Sequence, residues 1–149
     1  MRFKEARGRK VVSTDNAEAL GKVEAYVIDP RKRCIAALRL AKVKSDKTFV
    51  SWNDLQAFGT DAVTVDSAER LRPPADDAEE RAASKELQAI GKLVLSASGT
   101  ALGKVEDVEF DPASGAIVGF DLADGSRVVG DRIIGLGSHA AVVADAAEE

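Results

Sequence analysis

The residues that most often carry enzyme chemistry are scarce in this sequence. Its 149 residues include one cysteine, one histidine, one tryptophan, one tyrosine and one methionine. A single cysteine, Cys34, excludes an internal disulfide. A single histidine, His139, directly follows Ser138, and neighbours on a strand or turn rarely offer the geometry of a nucleophile and its base. Nothing else assembles a nucleophile with a base, a tuned carboxylate pair or a metal-ligand set, so the chain is expected to be no enzyme, with no catalytic residue, cofactor or metal. No apolar run approaches the ~20 residues of a membrane-spanning helix. Met1-Arg2-Phe3-Lys4-Glu5 runs straight into charged sequence, unlike a secretory leader, and a cytoplasmic address is the expectation. Aromatic residues make up only 5% of the chain. Tyr26, Phe110 and Phe120 fall at core positions, which leaves Trp52 as the one surface on which a nucleic-acid base could stack.

What the sequence does contain is one pattern written twice. Residues 10–40 align without a gap on residues 92–122, with twelve of thirty-one positions identical. Leu20-Gly21-Lys22-Val23-Glu24 returns as Leu102-Gly103-Lys104-Val105-Glu106, and Asp29-Pro30 as Asp111-Pro112. A repeat of this kind decides the architecture before any other signal. The tails also correspond, but at an offset of 78. Phe49 to Gly59 matches Arg127 to Gly137, so the first copy carries four extra residues in a basic loop around 41–47. Modules of about sixty residues are close to the size at which one core is marginal, so the halves are expected to pack on each other or on another subunit.

Each copy reads as short strands joined by tight turns. Asp-Pro opens a type I turn between the second and third strands. The second copy completes that turn with Gly115, whereas the first has Arg33, which implies a different or strained turn. Within the second strand the apolar positions slip phase, at Val23, Tyr26, Ile28 and at Val105, Val108, Phe110. Strict alternation cannot bury all three, so a β-bulge is expected there. Five or six short strands per copy indicate a small barrel. Between the copies Arg72-Pro73-Pro74 interrupts regular structure, and Asp76 to Leu87 has helix-forming composition with acids first. Having few apolar residues, that segment is expected to be an exposed spacer. The fold class is therefore all-β, with two small barrels in tandem over residues 1–66 and 89–149, joined by an acidic, partly helical linker over 67–88.

The string Leu102-Gly103-Lys104-Val105-Glu106-Asp107-Val108-Glu109-Phe110-Asp111-Pro112, continued by Gly115, Ile117 and Phe120, resembles the PRC-barrel domain. That domain is the type found in the photosynthetic reaction centre H subunit and at the C-terminus of the ribosome maturation factor RimM. The first copy resembles it through Leu20-Gly21-Lys22-Val23, Asp29-Pro30 and Ile35. The resemblance implies a six-stranded barrel of prokaryotic type that serves as a docking or assembly part. Neither the membrane helix of the H subunit nor the RNA-processing partner domain of the maturation factor is present, so their specific roles do not carry over.

Charge divides the chain. Residues 1–65 hold 13 Lys+Arg against 8 Asp+Glu, a net of +5, and the remainder holds 8 against 17, a net of −9. Asp107, Glu109 and Asp111 alternate towards one face, with Asp121 on the next strand. Divalent cations favour such oxygens, but the spacing fits no calcium loop, and the face is read as solvated and open to a basic partner. Where the second copy has Asp107 and Glu109, the first has Ala25 and Val27, with Ala37 nearby. An apolar outer face of that kind is what a buried contact needs, against the second barrel or a second subunit. The favoured function is a protein-interaction scaffold or adaptor with an unidentified protein partner. The alternative is a ribosome- or RNA-associated assembly factor that contacts phosphates through Arg31, Lys32 and Arg33 and the lysines of 42–47.

Overall fold

A computed structural model describes residues 1–145. The first copy contains β1 (Lys10–Ser13), β2 (Ala19–Asp29), β3 (Cys34–Ala41), β4 (Phe49–Ser51), β5 (Ala57–Phe58) and β6 (Ala62–Val65). The second contains β7 (Leu93–Ser96), β8 (Ala101–Phe110), β9 (Ile117–Leu122), β10 (Arg127–Val129), β11 (Ile133–Leu136) and β12 (Ala140–Val143). Each copy forms one six-stranded sheet, in the orders β4-β3-β2-β1-β6-β5 and β10-β9-β8-β7-β12-β11. The two edge strands of each sheet are sequence neighbours, separated by residues 52–56, which open with the 3-10 turn Trp52–Asp54, or by the 3-10 turn Gly130–Arg132 alone. A sheet whose edges are that close along the chain must curl until they meet, which makes a small barrel. All neighbouring strands run antiparallel except β1 with β6 and β7 with β12, which are parallel.

The expected bulge is present in both copies. Register slips between Val23 and Ala25 against β3, and between Val105 and Asp107 against β9, so Glu24 and Glu106 are the extra residues. The slip lets Val23, Tyr26, Val105 and Val108 all point inward, and all four are buried. Arg33 and Gly115 adopt the same left-handed turn, with φ of 56° and 80°. The first copy thus tolerates a non-glycine residue there, at a cost of about 1–2 kcal/mol.

Two expectations need correction. The ungapped alignment is off by one in the first strand: Val11 faces Gly21 as Val94 faces Gly103, an offset of 83 on one side and 82 on the other. The turn after β1 is one residue longer than its counterpart and contains Ala17 at φ 58°. The linker, moreover, is not a free spacer: its helix has no buried residue, as expected, but the segment is tied to the first copy. Helix α2 (Asp77–Ala82) is too short to persist alone, and it is held at both ends. The Asp76 carboxylate caps it by accepting from Glu79 N at 2.8 Å. Arg72 Nη2 donates to Glu79 Oε2 at 2.8 Å, and Arg72 itself exchanges backbone hydrogen bonds of 2.8 Å with Phe49 at the sheet edge. Beyond α2, the Gln88 amide oxygen accepts from Tyr26 N at 3.1 Å, next to the bulge. Its nitrogen donates to the carbonyls of Ala82 and Ser84. The linker is a strap bound to the first copy.

Candidate functional site

The two copies meet on a local two-fold axis. Cys34 and Ala116, equivalent under the 82-residue repeat, face each other in an antiparallel bridge. Ile35 N donates to Gly115 O at 2.8 Å and Ile117 N donates to Arg33 O at 2.8 Å, each bond being the other advanced by one repeat. A residue opposite its own equivalent is the signature of an isologous contact. The two sheets share one continuous hydrophobic core across this seam. Phe110 of the second copy enters an aromatic group of the first, with ring centroids 5.6 Å from Phe3, 6.1 Å from Tyr26, 5.2 Å from Phe58 and 6.2 Å from Trp52. Burial pushes the Tyr26 phenol well above its ordinary pKa, so the hydroxyl stays neutral and donates to Phe3 O at 3.0 Å.

The seam is symmetric in backbone and complementary in side chains. The Trp52 ring lies over Gly115, where a Cβ would come within 2.8 Å of it. At the position equivalent to Trp52 the second copy has Gly130, whose missing Cβ would run into the Ile117 carbonyl. Opposite Gly130's turn, Arg33 Nε donates to Ile133 O at 2.9 Å. Trp52 of the first copy therefore covers a glycine of the second, and Arg33 ties the two copies through its bond to Ile133. Cys34 sits half-buried on the axis, and its thiol pKa is raised mainly by that burial.

The acidic face is engaged within the chain. Arg2, just before helix α1 (Phe3–Ala6), forms an antiparallel bridge with Glu109, and its Nε donates to Asp121 Oδ2 at 2.6 Å. Arg127 donates to Asp121 at 2.6 Å and to Glu109 at 2.5 Å. The Asp107 carboxylate accepts from the backbone of Lys4 and of Val108. Hydrogen bonding to Arg2 is the main cause that holds Asp121 below the usual carboxylate range. Asp111 is not part of this group. It lies past the end of β8 and caps its own turn by accepting from Ala113 N at 2.8 Å.

Ala25, Val27 and Ala37 are buried, and the cover is the strap. Val27, Ala37 and Phe49 form a small apolar cluster with Ala83, flanked by Ala82. Neither the second barrel nor a second subunit is needed to cover that face.

Of the basic residues, Arg31, Lys32 and Arg33 are all exposed, and Arg33 also donates to Ile133 O across the seam. Lys42, Lys44 and Lys47 rim a cleft of about 380 Å³ whose apolar lining includes Leu20, Val43 and Leu71. Among the described residues these lysines enter no ion pair. The four-residue insertion builds this cleft, since the second copy closes the same hairpin with Ala123-Asp124-Gly125-Ser126.

One feature was missed from sequence. The exposed large hydrophobic residues are Val118 at 43%, Val129 at 52% and Ile134 at 50%, and all three belong to the second copy. They lie on β9, β10 and β11, on either side of the Gly130–Arg132 turn. The equivalent residues of the first copy are Ala36, Ser51 and Gln56. Placing the two tails side by side carries that signal.

A family model for the PRC-barrel domain matches residues 1–72 and 88–145. The chain belongs to the PRC-barrel family. Both PRC-barrel copies fall within the match, and most of the strap, residues 73–87, falls outside it. No curated protein matches this PRC-barrel chain. Among the described residues no group of three or more His, Cys, Asp or Glu side chains could hold a metal ion. No described helix is long and apolar enough to cross a membrane.

Proposed function

We propose that this tandem PRC-barrel protein is a non-enzymatic adaptor that presents the outer surface of its second barrel to a protein partner. The observation that carries the reading is the exposed trio Val118, Val129 and Ile134 in the second copy, against Ala36, Ser51 and Gln56 in the first. Apolar side chains held in water on one copy only are what a recognition surface needs, because their desolvation supplies binding energy. The shared core and the paired seam support the reading, since they hold that surface on a rigid two-barrel body. Asp131 within the turn, exposed like the trio, favours a partner whose contact is apolar with a basic rim.

The test is affinity capture from host lysate with tagged protein, with and without nuclease, repeated with a Val129→Asp/Ile134→Asp variant. A defined set of proteins that survives nuclease and is lost from the variant supports the adaptor. A set unchanged in the variant removes the surface from the argument. The second reading, an RNA-associated assembly factor, is favoured by the unpaired lysines at 42, 44 and 47. It requires captured material that disappears with nuclease and binding that falls steeply with salt.

A further inference from the structure

The local two-fold axis also pairs a carboxylate of the second copy with a cation of the first. In the second copy Arg2 meets Asp121. Advancing Asp121 back by one repeat of 82 gives Arg39 on β3. The lead-in segments correspond at 83: Gly8 N bonds Val23 O as Gly91 N bonds Val105 O, and Arg9 N bonds Ala6 O as Lys92 N bonds Ala89 O. By that count Lys85 of the strap corresponds to Arg2, although it begins a 3-10 turn (Lys85–Leu87) and does not bridge to the sheet as Arg2 does. Where the second copy pairs a cation with a carboxylate, the first has cations at both corresponding positions, and both line one cavity.

The space between them is a cavity of about 470 Å³, which Arg7 also lines. Three cations from three separate elements converge there: the end of α1, β3 and the strap. The one acidic group in the lining is Glu24, the bulge residue, 3.9 Å from Arg39 with both side chains about half exposed. That leaves two positive charges in excess. Among the described residues Arg7 and Lys85 enter no ion pair. Apart from Gln88 the rest of the lining is apolar: Ala25, Ala83 and Ile90. Gln88 is locked by three hydrogen bonds, so this side of the cavity is pre-formed. Between the wall residues Ala83 and Lys85, the Ser84 hydroxyl is buried and has no hydrogen-bond partner.

We propose that this cavity binds a small dianionic phosphate monoester, with Arg7, Arg39 and Lys85 as its ligands, in the role that Asp121 plays as a built-in anion in the second copy. Guanidinium groups present planar forks that match phosphate oxygens, and charge-assisted hydrogen bonds are the strong ones. The excess of two positive charges matches a dianion. The small apolar lining leaves room for the organic body of an ester, so an ester binds more tightly than inorganic phosphate.

Isothermal titration calorimetry of the full chain at constant ionic strength tests this, with glycerol 3-phosphate, inorganic phosphate, succinate and chloride as probes. Expected is saturable one-to-one binding of the ester, weaker binding of phosphate and none of chloride. Arg39→Gln and Lys85→Gln should each weaken the ester about tenfold or more. Arg39→Asp, which reverses the charge at the cavity wall, should abolish binding, with a retained cooperative thermal transition showing that the chain is folded. The proposal is overturned by absence of saturable ester binding up to about 10 mM, a concentration well above the Kd of a millimolar site. Equal affinity in the Gln variants overturns it too, and so does binding of succinate without phosphate.

Discussion

The two copies share a strand order, a parallel strand pair and a bulge at the same place, yet each outer face is covered by different chemistry. On the second copy the lead-in of the chain lays Arg2 and Lys4 on the acidic strand β8, and the contacts are ionic and half-exposed. On the first copy the lead-in of the second repeat lays Ala82 and Ala83 on Val27 and Ala37, and the contacts are apolar and dry. The same geometric problem, covering the convex side of a bulged strand, is solved twice by exchange of lead-in segments. Exposed ion pairs contribute little and are screened, whereas burial of small apolar side chains contributes in proportion to area. At Val27 and Ala37 the first copy is accordingly sealed by apolar cover, whereas at Glu109 and Asp121 the second is covered by ion pairs that stay partly exposed.

Substitutions at equivalent positions should separate the copies. The largest difference is expected at the seam, where Phe110→Ala removes a side chain surrounded by four aromatic rings and should cost about 4 kcal/mol in urea unfolding. Its equivalent Ile28 is only partly buried, and Ile28→Ala should cost about 1–2 kcal/mol. Similar losses would mean that the seam does not depend on Phe110.

Next are the outer faces. Val27→Glu places a charge under the strap and should cost about 3 kcal/mol, with the strap becoming sensitive to limited proteolysis. Glu109→Val at the equivalent position only breaks partly exposed pairs and should change stability by less than about 1 kcal/mol.

The turns follow. Gly115→Ala adds a Cβ against Trp52 at a positive φ and should cost about 2 kcal/mol. Arg33→Gly relieves the same conformation while losing the bond to Ile133, and these offset to within about 1 kcal/mol.

The smallest effect is on acid unfolding. The pKa values of Asp121 and Glu79 are both lowered in the folded chain, chiefly by hydrogen bonds to Arg2 and Arg72. A lowered folded value adds stability above the ordinary value, and that stability is lost as pH falls through the folded one. For these groups the loss therefore begins near their ordinary values of 3.8 and 4.5 and continues below them. Removing either arginine should raise the acid midpoint by about a few tenths of a pH unit. Because Arg72 holds the strap, Arg72→Ala should also release it, and Arg2→Ala should not.

Much of the fold was legible. The repeat, the bulge and the inserted basic loop all follow from positions within one copy, where apolar spacing and turn chemistry act over a few residues. The one-residue shift of β1 was not, because an ungapped match hides an extra turn residue such as Ala17. The packed strap was missed because two alanines form no visible apolar stripe. The acidic face looked open because Arg2 and Lys4 are about a hundred residues away in the chain, and nothing local links them to Asp121 or Asp107.

The sequence by itself determined that two similar modules exist, how each is stranded, and where their surfaces differ in charge. Those properties rest on local periodicity and on comparison of one copy with the other. Only the tertiary structure decided which differences remain exposed. The two-fold seam brings Trp52 onto Gly115 and Arg33 onto the Ile133 carbonyl of the other copy, spends the carboxylates of one face on the chain's own arginines, and leaves Arg7, Arg39 and Lys85 lining one open cavity.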